Sequence, residues 1–191
     1  MGNVGAKLAQ SLLRNDVDLI VHDIDTDKVR PFVDAGAGCS DAPVEMIQKV
    51  DVLITCLPSP SISASVMEGE QGVLKGFSTG KVWLEMSTTD EAEVRRLGAS
   101  VMQLGGRAAD CPVSGGCHRA ETGNIAILAG CERTTFEQVL PLLSIMGREI
   151  LHTGPLGSAS TLKVCTNYLA TANLVSVCEA LTVSKAAGLD L

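Results

Sequence analysis

Six short runs of strand-forming residues recur along the first 155 positions, and the stretches between them have the length and pattern of helices. The runs are DLIVHD (18–23), DVLITCLP (51–58), KVWLEMS (81–87), RAADCPV (107–113), NIAILAG (124–130) and EILHTG (149–154). The second is a nearly continuous apolar run, the pattern of a parallel strand covered on both faces. Helical segments are predicted over 1–15, entered through a glycine turn and with Leu8, Leu12 and Leu13 as apolar positions, and over 27–34, 43–50, 61–67, 90–104 and 134–146. Strands and helices alternating at this spacing predict an α/β fold, doubly wound around a largely parallel sheet.

The last part of the chain obeys a different pattern. Residues 158–187 contain neither proline nor glycine. Thirty helical residues would extend about 45 Å. Leu162, Val164, Cys165, Leu169, Leu174, Val175, Val177, Leu181 and Val183 spread apolar character over most of its faces. Such a helix needs a cover. Lipid is a poor one, because Lys163, Asn167, Asn173 and Glu179 are costly at bilayer depth, so no membrane partner is expected. The expected division is an α/β domain over 1–155 and, over 156–191, a long interdomain helix leading to a covering domain or subunit.

Composition narrows the function. Hydrophobic residues make up 46% and charged residues 19%, which excludes a disordered chain, and 3% aromatics require an aliphatic core. A net charge of -7 argues against a broad basic face for nucleic acid. The seven cysteines include no C-x-x-C pair, so no metal site is expected. They read as reduced thiols, consistent with the cytoplasm or the mitochondrial matrix.

Several segments carry chemistry. Gly2-Asn3-Val4-Gly5 reads as the later part of a G-x-G-x-x-G turn whose first glycine would precede Met1. Gly2 would let the backbone approach a pyrophosphate, and Gly5 would let the helix pack closely on the sheet. Helix N-terminal amides favour phosphate. Asp23 ends the next strand, at the distance where this fingerprint places an acid for the ribose hydroxyls. Its alternative role is to cap the next helix. Leu57-Pro58-Ser59 and Ser87-Thr88-Thr89 each follow a strand, where ligands bind in open α/β sheets. Ser114-Gly115-Gly116 offers a hydroxyl and amides to an anion such as a carboxylate. His118 reads as a loop histidine. Lys163 and Asn167 share a helix face at i, i+4. A desolvated lysine there would suit acid/base work, the alternative being a snorkelling lysine near a helix start.

In this order and spacing, the segments, with ETGN at 121–124 among them, resemble the β-hydroxyacid dehydrogenase family over essentially the whole chain, and DCPVSGG and the glycine–lysine–asparagine segment are the specific elements. The resemblance implies a Rossmann-like domain. In it Gly2, Asn3, Val4 and Gly5 hold the pyrophosphate, Asp23 binds the adenosine ribose, Leu57 and Pro58 line the cleft, and Thr88 sits near the nicotinamide. Ser114, Gly115 and Gly116 hold the substrate carboxylate, Lys163 is the general acid/base, and Asn167 orients the substrate. Thr166 departs from the asparagine usual before that position.

The cofactor implied is NAD, with NADP disfavoured by Asp23. The substrate implied is a small β-hydroxy acid such as 3-hydroxyisobutyrate. Tartronate or succinic semialdehyde and glyoxylate are alternatives, and phosphogluconate enzymes share the architecture. The resemblance also implies a first, central strand between 18–23 and 51–56 and a C-terminal helical domain, neither of which this sequence supplies. The 191 residues alone are therefore expected to be inactive and to self-associate, while the full-length form is expected to be a homo-oligomer. A catalytically inactive nucleotide-binding or interaction module, or a structural remnant, is the competing reading.

Overall fold

The computed structural model describes residues 1–191. Its strands are β1 (Ile20–Val21), β2 (Gly38–Cys39), β3 (Val52–Thr55), β4 (Val82–Glu85), β5 (Arg107–Asp110), β6 (Val113–Ser114), β7 (Ile125–Gly130) and β8 (Gly147–Gly154). The helices are α1 (Gly5–Arg14), α2 (Thr26–Asp34), α3 (Pro43–Lys49), α4 (Pro60–Glu68), α5 (Glu91–Gln103), α6 (Cys117–Glu121), α7 (Arg133–Met146) and α8 (Ser158–Ala186).

The main sheet runs β3-β4-β5-β7-β6, with β8 also on β7, while β1 and β2 form a separate parallel ladder. β3, β4 and β5 are parallel neighbours, as are β7 and β8. The alternation along β4 shows that both sheet faces are covered. Val82 and Leu84 join a core built from α1 (Leu8, Leu12) and α7 (Val139, Leu143). Trp83 points to the other side, among Ile47 of α3, Met67 of α4 and Leu97 and Val101 of α5. This is the doubly wound arrangement expected from the strand–helix alternation. The indole N–H of Trp83 donates to Thr55 Oγ1 at 2.8 Å, so the largest buried ring leaves no orphan donor. Helix α1 joins the two sheets: its Leu8 and Leu12 pack on the main one, and its Ala9 packs with Val21, Phe32 and Ala37.

Four expectations need correction. The run 107–113 is not one strand. Pro112 has a fixed φ and no N–H, and the chain breaks there into β5 and β6. β6 then pairs antiparallel with β7, which also meets β5 antiparallel, so the sheet is mixed on that side. The run 18–23 contributes only two paired residues, and its partner β2 was not expected, because two exposed residues, one a glycine, give no apolar signal. Finally, His118 lies not in a loop but in the short helix α6.

Helix α8 follows the expected bounds to within a residue. Ala159, Ser160 and Lys163 at its start are buried, whereas Tyr168, Leu169, Leu174, Val175, Val177, Leu181 and Val183 are exposed. No helix is long and apolar enough to cross a membrane.

Candidate active site

The site is assembled at the carboxyl ends of β3, β4 and β5, where strand exits and helix entries converge. At the entry of α1, Gly2 and Asn3 are exposed, Val4 is the N-cap, and no acidic side chain occupies the first turn. A side chain at Gly2 would meet nothing within 4 Å, so its backbone is open to a ligand. Gly5 is the opposite case. A Cβ there would lie 3.3 Å from Cys56 Cβ, so the helix start sits directly against the end of β3. An open backbone followed by a tightly packed helix start fits a pyrophosphate group at a positive helix end. Asp23 follows β1. Its carboxylate accepts the Asp25 amide at 2.9 Å and contacts the Met1 amino group. It helps line an open cavity of about 740 Å³ with His22, Ile24, Ser40 and Pro43, at the ends of the small sheet. The capping duty for α2 falls to Asp25, whose side chain accepts the Asp27 amide, so Asp23 is not spent on that helix.

The Leu57-Pro58 loop and the Ser87-Thr88 loop are tied together. The Leu57 amide donates to Ser87 Oγ at 2.7 Å, and the Ser87 amide donates to Glu85 Oε1 at 2.9 Å. Ser63 Oγ, in α4, donates to Glu85 Oε2 at 3.1 Å. Glu85 is 1% exposed, and burial raises its carboxyl above the ordinary value despite these donors. Burial, with a further push from Glu85, also lifts the Cys56 thiol to about 11. This carboxylate therefore holds the two loops in register beneath the cleft. Leu57 is half-buried, and Pro58 and Thr88 are exposed, free to meet a ligand.

On the substrate side, β6 ends at Ser114, and Gly115 and Gly116 follow with φ of +125° and +82°. Both lie where a side chain would be strained, so glycine is required for this turn. Lys163 Nζ donates to Ser114 Oγ at 3.4 Å. Lys163 is 8% exposed, and burial lowers its pKa. Asn167 stands one turn further along α8 and is exposed. The glycine turn is also tied, through the helix α6 that follows it, to α1. Lys7 of α1 pairs with the Glu121 carboxylate at 2.6 Å, and Arg14 Nη2 donates to the Glu121 carbonyl at 2.6 Å. The Arg14 guanidinium on the last carbonyl of α6 complements the end of that helix.

Two buried carboxylates, Glu85 and Asp110, carry much of this arrangement and escaped the reading of the sequence. Their signal was present: each is an acid closing an apolar strand run, where an unpaired charge is expensive.

An α/β domain with a glycine-entered helix, a strand-end acid and strand-end loops at the carboxyl edge of a parallel sheet defines a dinucleotide-binding protein. Residues 1–154 match the NAD binding domain of 6-phosphogluconate dehydrogenase, and the chain belongs to that family. Over 190 residues it is 32% identical to the mitochondrial 3-hydroxyisobutyrate dehydrogenase of Rattus norvegicus, matching 100% of this chain and 57% of that protein. It is likewise 32% identical to the NAD-dependent L-serine dehydrogenase of Pseudomonas aeruginosa, matching 100% of this chain and 64% of that one. The solved structure of 3-hydroxyisobutyrate dehydrogenase from Mycobacterium tuberculosis with L-serine has the same fold. Its TM-score is 0.93 at 24% identity, over 99% of this chain and 64% of that one. The chain thus spans less than two thirds of the length of each of these relatives.

Proposed function

We propose that the protein carrying this chain is an oxidoreductase that transfers a hydride between NAD and the hydroxyl-bearing carbon of a small β-hydroxy acid such as 3-hydroxyisobutyrate. The contact of Lys163 with Ser114 carries this reading, because it sets a desolvated amine beside an anion-binding turn. The likeness to 3-hydroxyisobutyrate and L-serine dehydrogenases supports the substrate class.

NAD, when bound, supplies the hydride acceptor. The open backbone at Gly2 and Asn3 and the entry of α1 at Val4 and Gly5 would hold its pyrophosphate. Asp23 would take the ribose hydroxyls and repel a 2′-phosphate, and Leu57, Pro58 and Thr88 would line the cleft. Ser114 Oγ and the Gly115 and Gly116 amides hold the substrate carboxylate. Lys163 in its neutral form takes the hydroxyl proton at Nζ as the carbon is oxidised and returns it in reduction. Asn167, on the same helix face, orients the substrate.

The uncovered face of α8 supports assembly of the protein through that helix, and it is the reason we infer that the 191 residues alone self-associate and turn over poorly. The test of function is NADH formation with 3-hydroxyisobutyrate or L-serine as substrate, and NADH consumption with the semialdehyde products. No NAD- or NADP-linked turnover of any of them in the complete protein would overturn the proposal.

A further inference from the structure

Helix α8 begins without a cap of its own. Its N-cap residue is Gly157, in a left-handed conformation at φ 91°, and it has no side chain to satisfy the first amides. The partner comes from another strand. Asp110, the last residue of β5 and fully buried, accepts the Gly157 amide at Oδ1 (2.7 Å) and the Ser160 amide at Oδ2 (2.6 Å). Those are the N-cap and N3 positions, the two donors that a local capping box divides between two side chains. Here one carboxylate, lying 47 and 50 residues away in sequence, satisfies both. Gly130, which faces Asp110 across β7, clears the space: a Cβ there would overlap Asp110 Oδ1 and lie 3.0 Å from the Ala159 amide.

The anchor bears on the candidate catalytic contact from both sides. Ser160 and Lys163 are three residues apart on one helix face, so the amide held by Asp110 lies directly beneath Lys163. In the other direction, the chain leaves Asp110 through Cys111 and Pro112 and reaches Ser114 four residues later. Cys111 and Pro112 are buried, which restricts the movement of that link. Lys163 and Ser114 are therefore both referred to a single carboxylate.

We infer that Asp110 is a positioning residue for the proposed reaction: by anchoring the first turn of α8 it sets where Lys163 Nζ stands relative to Ser114. The inference rests on the proposed role of Lys163. An asparagine at 110 keeps one acceptor but turns an NH₂ toward the second amide, removing one bond and opposing two donors. Movement of the first turn would then carry Lys163 away from Ser114 and toward solvent.

The experiment has readouts that do not depend on turnover. In the unaltered chain, hydrogen exchange at the Gly157 and Ser160 amides is expected to be at least tenfold slower than at uncapped helix-start amides. In Asp110→Asn that protection is lost at one or both amides, while the amides of β4 keep theirs. NMR titration of ¹³C-dimethylated lysines, assigned with Lys163→Arg, should show the Lys163 signal titrating higher in Asp110→Asn, closer to an ordinary lysine. In the complete protein, kcat for oxidation should fall about tenfold or more, with KM for NAD unchanged and the rising, acidic limb of the pH profile moved to higher pH. A purely structural role would lower Tm without moving the Lys163 titration. Unprotected Gly157 and Ser160 amides in the unaltered chain would overturn the anchor even if Asp110→Asn fails to fold. An unmoved Lys163 titration, or wild-type kcat and pH profile in Asp110→Asn when Lys163→Ala is inactive, would overturn the positioning role. Full activity of Lys163→Ala would instead overturn the proposed function.

Discussion

Lys163 Nζ and Ser114 Oγ, 49 residues apart in sequence, meet at 3.4 Å across the gap between α8 and the end of β6. Removing the amine removes the proposed proton acceptor. Lys163→Ala in the complete protein is expected to lower kcat by about 10²–10⁴, measured as initial rates of NADH formation. Because burial lowers the Lys163 pKa, its neutral form is reached below an ordinary lysine's range, so oxidation should rise with pH through that lowered value. A Lys163→Ala enzyme with wild-type kcat removes this residue from the mechanism.

Asp23 governs the second expectation. A 2′-phosphate beside its carboxylate meets like-charge repulsion, so kcat/KM should be higher with NAD than with NADP. Asp23→Asn should narrow the difference, mainly through a lower KM for NADP. Equal use of both cofactors by the unaltered enzyme contradicts the argument.

Glu85 makes stability depend on pH in a defined direction. Burial raises its carboxyl above 4.5, so the folded state holds the proton more tightly than the unfolded chain does. The unfolded state then binds fewer protons between 4.5 and the raised value, and stability falls as pH rises through that window. Glu85→Gln keeps the side chain's size and removes this dependence. Urea unfolding at a series of pH values from 4.5 to 8 should show a decline for the parent that is shallower in the variant, the remainder coming from Asp110, whose carboxyl burial also raises; parallel curves would refute it.

The thiols should separate by burial. Cys39, Cys165 and Cys178 are exposed, whereas Cys111 and Cys131 are buried. Cys56 and Cys131 are both pushed up to about 11, chiefly by burial. At pH 8 a thiol of that pKa is ionised to about one part in 10³, and the thiolate is the nucleophile. A thiol-reactive disulfide reagent should therefore label Cys39, Cys165 and Cys178 first, with Cys56, Cys111 and Cys131 following only on unfolding. Peptide mapping after a short exposure decides it.

Association through α8 is the last expectation. Leu174 and Leu181 are 64% and 48% exposed, seven residues apart on one helix face. Sedimentation velocity of the 191 residues should show a concentration-dependent rise in sedimentation coefficient. The double substitution Leu174→Glu and Leu181→Glu should reduce it. A monomer at all concentrations would show that the apolar face tolerates water.

Much of the site was legible because its signals are local. Gly2 and Gly5 are read from a turn of fixed geometry, and their two different surroundings follow from it. Lys163 and Asn167 share a face because 3.6 residues per turn require it. The run at 81–87 reads as a strand, and it forms one over Val82–Glu85, with Val82, Trp83 and Leu84 buried on alternating sides. What escaped was short or distant. Gly38–Cys39 becomes a strand only because β1 offers it a partner.

The amino-acid sequence alone determined the α/β alternation, the glycine entry to α1, the strand-end acid at Asp23 and the face shared by Lys163 and Asn167, all consequences of backbone periodicity and turn chemistry within a few residues. Only the tertiary structure decided that the chain turns at Pro112 to send β6 antiparallel along β7, that Glu85 binds Ser63 and the Ser87 amide, and that Asp110 caps a helix that starts 48 residues later at Ser158. Those outcomes depend on which donors the folded sheet brings to a buried carboxylate. That choice is made by strand order and register, because an acid removed from water must take whatever amides and hydroxyls the packed chain places within reach.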